Sequence, residues 1–264
     1  MRKLSINQMC NARRSFEEDV ELIARAGIPG IGVYRGKLEA VGLERGLKLV
    51  RDAGLEVACY GAAGWFLNPG GREQAIDQTK RAIETAARLQ AGCLVIVSGP
   101  RGDLEWSEAN RRFVDALAEV LPEARQHGVP LAYEALSPMR VEVSYLHLMS
   151  DTLEVVEEVD SPFFGVALDI WYHWWQRDFA EQVRRGAEKT FLVQISDHYA
   201  DTYSMWERAP LGQGILPLKK VLREIDAAGY AGWYDVEVFP ERLSETEQVA
   251  LAADSKAAFA QLWD

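Results

Sequence analysis

Short apolar runs without internal alternation recur along the chain, and amphipathic stretches separate them. An unbroken apolar run of this length reads as a strand buried on both faces, as in a parallel sheet covered by helices. Leu4–Cys10 is the first such run. Ser15 followed by Glu18 forms a capping box for a helix over Phe16–Ala26. Ile31–Arg35 is a second strand, followed by a helix over Gly42–Ala53 with Gly54 at its C-terminal cap. Leu55–Gly61, Cys93–Gly99 and Pro130–Leu136 are the third, fourth and fifth strands, with helices over Arg72–Leu89 and Ser107–Gln126 between them. Tyr145–Glu158 is helical, and Phe163–Asp169 is the sixth strand. A helix over Asp178–Arg185 leads to the seventh strand, Phe191–Asp197. A long loop from His198 to Leu216 then precedes a helix over Pro217–Ala228. Trp233–Phe239 is the eighth strand, and Thr246–Leu262 closes the chain as a helix.

Strict alternation of about eight strand–helix units points to a closed (β/α)8 TIM barrel, an α/β fold, over 1–264 as one domain. An open doubly wound sheet would carry a glycine-rich phosphate loop after its first strand. Here that place reads NARRS, and neither GxGxxG nor GxxxxGK occurs in the chain. The apolar fraction of 48% over 264 residues is ample for a large core. No apolar run reaches the length of a membrane span, and the first ten residues lack a signal peptide's apolar core, so a cytoplasmic protein is expected. The three cysteines, Cys10, Cys59 and Cys93, are far apart in strand-like sequence and read as buried thiols. Twenty-nine basic against forty acidic residues give a net charge of −11. That charge argues against a nucleic-acid partner, because no strong basic patch offsets it.

In a barrel of this kind the carboxyl ends of the strands form the active face. Asn7 lies at that end of strand one, Glu134 of strand five, Asp169 of strand six, Gln194 of strand seven and Glu237 of strand eight. Period-two alternation puts Asp235 and Glu237 on the same face. A carboxylate inside an apolar strand costs several kcal/mol or shifts its pKa unless something satisfies it. The few arginines nearby, Arg35, Arg140 and Arg208, fall in loops, and a divalent ion would neutralise Glu134, Asp169 and Glu237 together. The all-oxygen donor set favours Mn²⁺ or Mg²⁺. Singly, such a carboxylate is a structural ion pair, and Asp169 alone reads equally as a helix cap. Glu134 and Glu237, facing each other across a bound polyol or hydroxy-ketone, could move a proton beside a carbonyl that the metal polarises. That chemistry serves isomerisation, epimerisation and elimination of water alike.

The segments LSIN, GIPGIGVYR, LAYEALSPM, LDIWYHWW, VQISD, RAPLGQG and AGYAGWYDVEVF, in this order, resemble the xylose isomerase-like TIM barrel superfamily of sugar isomerases and epimerases. The resemblance implies Glu134, Asp169, Gln194 and Glu237 as metal ligands and Glu134 and Glu237 as the acid/base pair. It implies Arg208 as a ligand of substrate oxygens and Asp197 as the residue orienting the neighbouring metal ligand. Gln194 departs from the family's usual histidine. Tyr172 stands where a family histidine often lies, and His173 one place further on is a candidate to take over its contact. Asn7, Trp65 and His198, which follow strands, complete the candidate substrate contacts; tryptophans after strands can stack on apolar sugar faces. His147, on the helix over Tyr145–Glu158, reads as a surface residue.

The resemblance implies a divalent-metal-dependent isomerase or epimerase of a sugar, keto-sugar or cyclitol working through a metal-stabilised enediolate. The alternative is a lyase at the same site, dehydrating a keto-cyclitol or dehydroshikimate-like acid or cleaving an oxidised glycoside. An abasic-site endonuclease shares the fold but needs a histidine-rich multi-zinc site, and this chain has four histidines. A non-catalytic sugar-binding barrel would follow if Gln194 abolished metal binding. A homo-oligomer is compatible with all of these.

Overall fold

In the computed structural model, which describes residues 2–11 and 13–264, eight parallel strands close into a barrel. They are β1 (Lys3–Asn7), β2 (Gly30–Tyr34), β3 (Glu56–Gly64), β4 (Leu94–Val97), β5 (Leu131–Glu134), β6 (Phe164–Asp169), β7 (Thr190–Ile195) and β10 (Trp233–Val236). Neighbours around the barrel follow chain order, and β10 closes it by pairing with both β7 and β1. The intervening β8 (Asp197–His198) and β9 (Arg208–Ala209) form a separate antiparallel pair.

The helices are α1 (Phe16–Arg25), α2 (Arg35–Val41), α3 (Leu43–Asp52), α4 (Arg72–Leu89), α5 (Trp106–His127), α6 (Met149–Val159), α7 (Ile170–His173), α8 (Phe179–Arg185), α9 (Leu218–Ala227) and α10 (Glu245–Gln261). The capping box Ser15/Glu18 starts α1 as expected, with both reciprocal bonds present. Gly54, at φ 68°, ends α3 in the left-handed conformation that glycine adopts without strain. The largest apolar cluster includes Ile31, Ile83, Leu117 and Leu222, and two smaller ones gather around Cys59 and Leu192 and around Trp171 and Phe239. Among the described residues, no helix is long and apolar enough to cross a membrane.

Four expectations are corrected. The first strand stops at Asn7, because its side-chain oxygen accepts the Met9 N–H at 2.9 Å and turns the chain into a 3-10 helix, Gln8–Asn11. An extra helix, α2, precedes Gly42, whose φ of 83° breaks it from α3. The helix expected from Tyr145 begins at Met149, and His147 lies in the preceding loop with Nδ1 2.8 Å from the Leu136 carbonyl. The long loop after β7 contains the β8–β9 pair.

Candidate active site

All eight strands run the same way, so their carboxyl ends converge on one mouth. Glu134 and Asp169 are the last residues of β5 and β6. Gln194 pairs in register with Asp169 on one side and Asp235 on the other. Glu237 continues β10 by donating its N–H to the Ile195 carbonyl at 3.0 Å. One carboxylate oxygen each from Glu134, Asp169 and Glu237 lies within 4.8 Å of the others.

Asp169 is a helix cap, as one of its two readings expected. Its Oδ1 accepts the Trp171 N–H at 2.9 Å and caps α7. Its Oδ2 lies 2.8 Å from Arg208 Nη1 but forms no hydrogen bond. Arg208 Nη1 also lies 3.1 Å from Glu237 Oε2 and 3.2 Å from the Glu237 carbonyl. The expectation that the nearby arginines stay in loops, leaving the carboxylates without a buried cation, is therefore wrong for Arg208. Its side chain is 0% exposed, enclosed by the rings of Trp171, Tyr172 and Phe239 at 4.3–5.3 Å.

What brings Arg208 inward is the β8–β9 pair, in which His198 faces Arg208. Asp197 anchors that excursion. Its Oδ1 accepts the N–H groups of His198 (2.8 Å) and Leu216 (2.9 Å), and its Oδ2 those of Gly212 (3.1 Å) and Gly214 (3.0 Å). A Cβ on Gly214 would lie 2.4 Å from Asp197 Oδ1, so only glycine permits the approach. Asp197 thus holds its own loop; among the described residues it makes no hydrogen bond to Gln194.

Burial raises all three clustered carboxyls. Glu134 is held well above the usual range by burial and then by the charges of Glu237 and Asp169, although it keeps a face on the cavity. Glu237 is pushed up to about 8 by burial, which Arg208 only partly offsets, and Asp169 is raised for the same reason. Three carboxylates against one guanidinium leave two formal negative charges when all are ionised. Asp169 Oδ2 and Gln194 Oε1 are buried without a hydrogen-bond partner, as are Nε and Nη2 of Arg208. Asp169 Oδ2 keeps only its ion pair with Arg208 and Gln194 Oε1 has no partner, and buried oxygens left so are costly. An all-oxygen set carrying this charge fits a hard divalent cation.

The cluster opens into a cavity of about 430 Å³. Asn7, Trp65, Glu134, Tyr172, Gln194 and Glu237 line it. His173 and His198 do not. His173 is buried between the Ala135 carbonyl (3.0 Å) and the Gln176 amide (2.8 Å). His198 stacks on Trp171 at 4.9 Å, with Nδ1 2.7 Å from the Tyr199 carbonyl. Arg208 lies beside the carboxylates behind the wall. Sequence reading passed over Asp235 as a site residue. It is fully buried beneath the site and accepts hydrogen bonds from Ser5 Oγ (2.6 Å) and Asn7 Nδ2 (2.8 Å), fixing the Asn7 amide. Its position two residues before Glu237 was the available signal. Arg140, Met205 and Trp206 also line the cavity; Arg140 and Trp206 stand out in the sequence as a nearby loop arginine and a tryptophan after a strand, whereas nothing local marks Met205.

Over residues 20–261 the chain matches the family described as xylose isomerase-like TIM barrel. It is 34% identical to the protein SMc04130 of Sinorhizobium meliloti 1021, whose crystal structure superposes with a TM-score of 0.86, covering 98% of this chain and 95% of that one. Over 193 residues it is 27% identical to fructoselysine 3-epimerase of Shigella flexneri, which covers 69% of this chain and 65% of the epimerase. It is 24% identical over 253 residues to 3-dehydroshikimate dehydratase of Pseudomonas aeruginosa, covering 91% of this chain and 38% of the dehydratase.

Proposed function

We propose, since the chain belongs to the xylose isomerase-like TIM barrel family, that it is a divalent-metal-dependent isomerase or epimerase of a sugar, keto-sugar or cyclitol. The observation that carries this reading is the convergence of Glu134, Asp169 and Glu237 beside one guanidinium, with Glu134, Glu237 and the unpartnered Gln194 amide oxygen next to the cavity. The likeness to an epimerase supports it. Glu134, Asp169, Glu237 and the Gln194 amide oxygen would hold the ion, with Mn²⁺ or Mg²⁺ favoured by the donors. The ion, when bound, supplies charge that polarises the substrate carbonyl and acidifies the carbon beside it.

The chain's own residues do the rest. One of Glu134 and Glu237 takes the proton from that carbon, and the other returns a proton to the opposite face or to the neighbouring position. Carboxyls raised toward neutrality suit both directions of transfer. Arg208 holds Asp169 and Glu237 in place and partly offsets the burial that raises their carboxyls. Trp65 and Tyr172 pack against the apolar face of the ring and exclude water.

A deuterium-exchange assay tests this. Incubation of the metal-loaded protein with keto-sugars in D₂O should place deuterium at the carbon next to the carbonyl and yield an epimer or isomer. Glu134→Gln and Glu237→Gln should each lower turnover by about 10²–10⁴-fold, and Asp169→Asn should also lower metal content. Near-normal rates in both glutamine variants would sink the acid/base assignment. The likeness to a dehydratase supports a second reading, a lyase at the same site; an absorbing enone product in place of deuterated substrate would decide for it.

A further inference from the structure

The cavity wall carries two arginines besides the buried Arg208. Arg35 is offset on the wall itself: its Nε donates to Glu39 Oε1 at 2.7 Å, and both residues line the cavity, so the pair is locally neutral. Arg140 is different. Its Nε donates to Glu142, a carboxylate 60% exposed to solvent and outside the cavity lining. Both pairs are exposed and each is worth at most about 1 kcal/mol, but Glu39 sets its negative charge on the cavity wall and Glu142 does not. Nη1 points at the Met205 sulfur, 3.1 Å away, and a thioether is a weak acceptor. Among the described residues, no other hydrogen bond engages the guanidinium.

The group is also held in place. Arg140 ends a 3-10 turn, Pro138–Arg140, whose N-cap Ser137 accepts the Met139 N–H. The Arg140 carbonyl accepts the N–H groups of Val143 (2.9 Å) and Ser144 (3.1 Å), and the Val143 carbonyl accepts that of Gly99 on the next loop (2.8 Å). The guanidinium lies 5.5 Å over the ring of Trp206. A half-buried, pre-oriented guanidinium whose Nη1 and Nη2 donors meet no oxygen acceptor among the described residues matches the two-oxygen face of a carboxylate or phosphate.

We propose that Arg140 binds an anionic substituent of the substrate, so that the enzyme acts on a keto-sugar or keto-cyclitol bearing a carboxylate or a phosphate. This deepens the isomerase reading and rests on it for the reacting half of the substrate. The anion contact itself rests only on the cavity wall.

Calorimetric titration of the metal-loaded protein with inorganic phosphate and, separately, with D-gluconate tests the contact without any turnover. Wild type should bind at least one probe, Arg140→Ala should bind it about 50-fold more weakly, the span of a charge-assisted pair, and Arg140→Lys should fall between them. The preferred probe tells phosphate from carboxylate. Deuterium exchange into neutral ketoses, ketose phosphates and keto-aldonates then extends the comparison. The anionic substrates should be preferred, and Arg140→Ala should raise their KM far more than that of neutral ones. Equal titration of wild type and Arg140→Ala, or no binding of either probe, would overturn the proposal. Probe binding lost on substitution, with no exchange into any keto-sugar, would instead count against the isomerase reading and leave the anion contact standing.

Discussion

Glu237 lies among apolar side chains beside Asp169, and a single guanidinium does not compensate for the lost hydration, so its carboxyl rises to about 8. A carboxyl raised on folding holds its proton more tightly folded than unfolded. It therefore costs stability above the folded value, and that cost disappears as pH falls from about 8 toward the ordinary 4.5. The same proton competes with a cation. Affinity for Mn²⁺ or Mg²⁺ should rise by about tenfold per pH unit between roughly pH 6 and 8 for each proton displaced, and level off above that. Calorimetry across that interval checks it; a flat profile would mean that the carboxyls are already ionised. Asp169, Glu134, Gln194 and Glu237 could be picked out as candidates because each ends or extends an apolar strand, where period and polarity disagree. The buried state of Arg208 could not be read that way, because nothing local marks an arginine in a polar loop as bound for the interior.

At the scale of elements, the β8–β9 excursion depends on one side chain. Asp197 satisfies four backbone N–H groups that its own loop cannot pair, and the loop carries Met205, Trp206 and Arg208 to the mouth. Asp197→Ala should cost about 3–5 kcal/mol of stability, since hydrogen bonds to a charged group are each worth about 1.5–3 kcal/mol and buried donors would be left unpaired. Thermal unfolding measures the loss. Turnover should fall with it because Arg208 loses its anchorage; unchanged melting would show that water replaces the carboxylate without penalty. Helices α4 and α5 and the capping box of α1 were legible because periodicity and caps are local signals. Helix α2 and the late start of α6 were not, since each is decided by where the chain must turn against the barrel.

For the whole molecule, barrel closure is what assembles the cluster: β5, β6 and β10 meet only because β10 pairs with β1 and β7 together. A cation bound there would lock the three strands to one another. Metal at one hundred times its Kd should add about 2.7 kcal/mol to folding, or roughly 5–10 °C in Tm for a chain of this size. Removal by chelator should reverse the shift; equal melting with and without Mn²⁺ or Mg²⁺ would count against the site. The sequence alone determined the alternation of strands and helices, the closed barrel and the strand-end carboxylates, because hydrophobic period and strand direction are properties of short segments. Only the tertiary structure decided that Arg208 lies inside among those carboxylates, that His173 and His198 turn away from the cavity, and that Arg140 faces into it. Those outcomes depend on how loops from distant parts of the chain share donors, acceptors and space over one mouth, and no short segment contains that information.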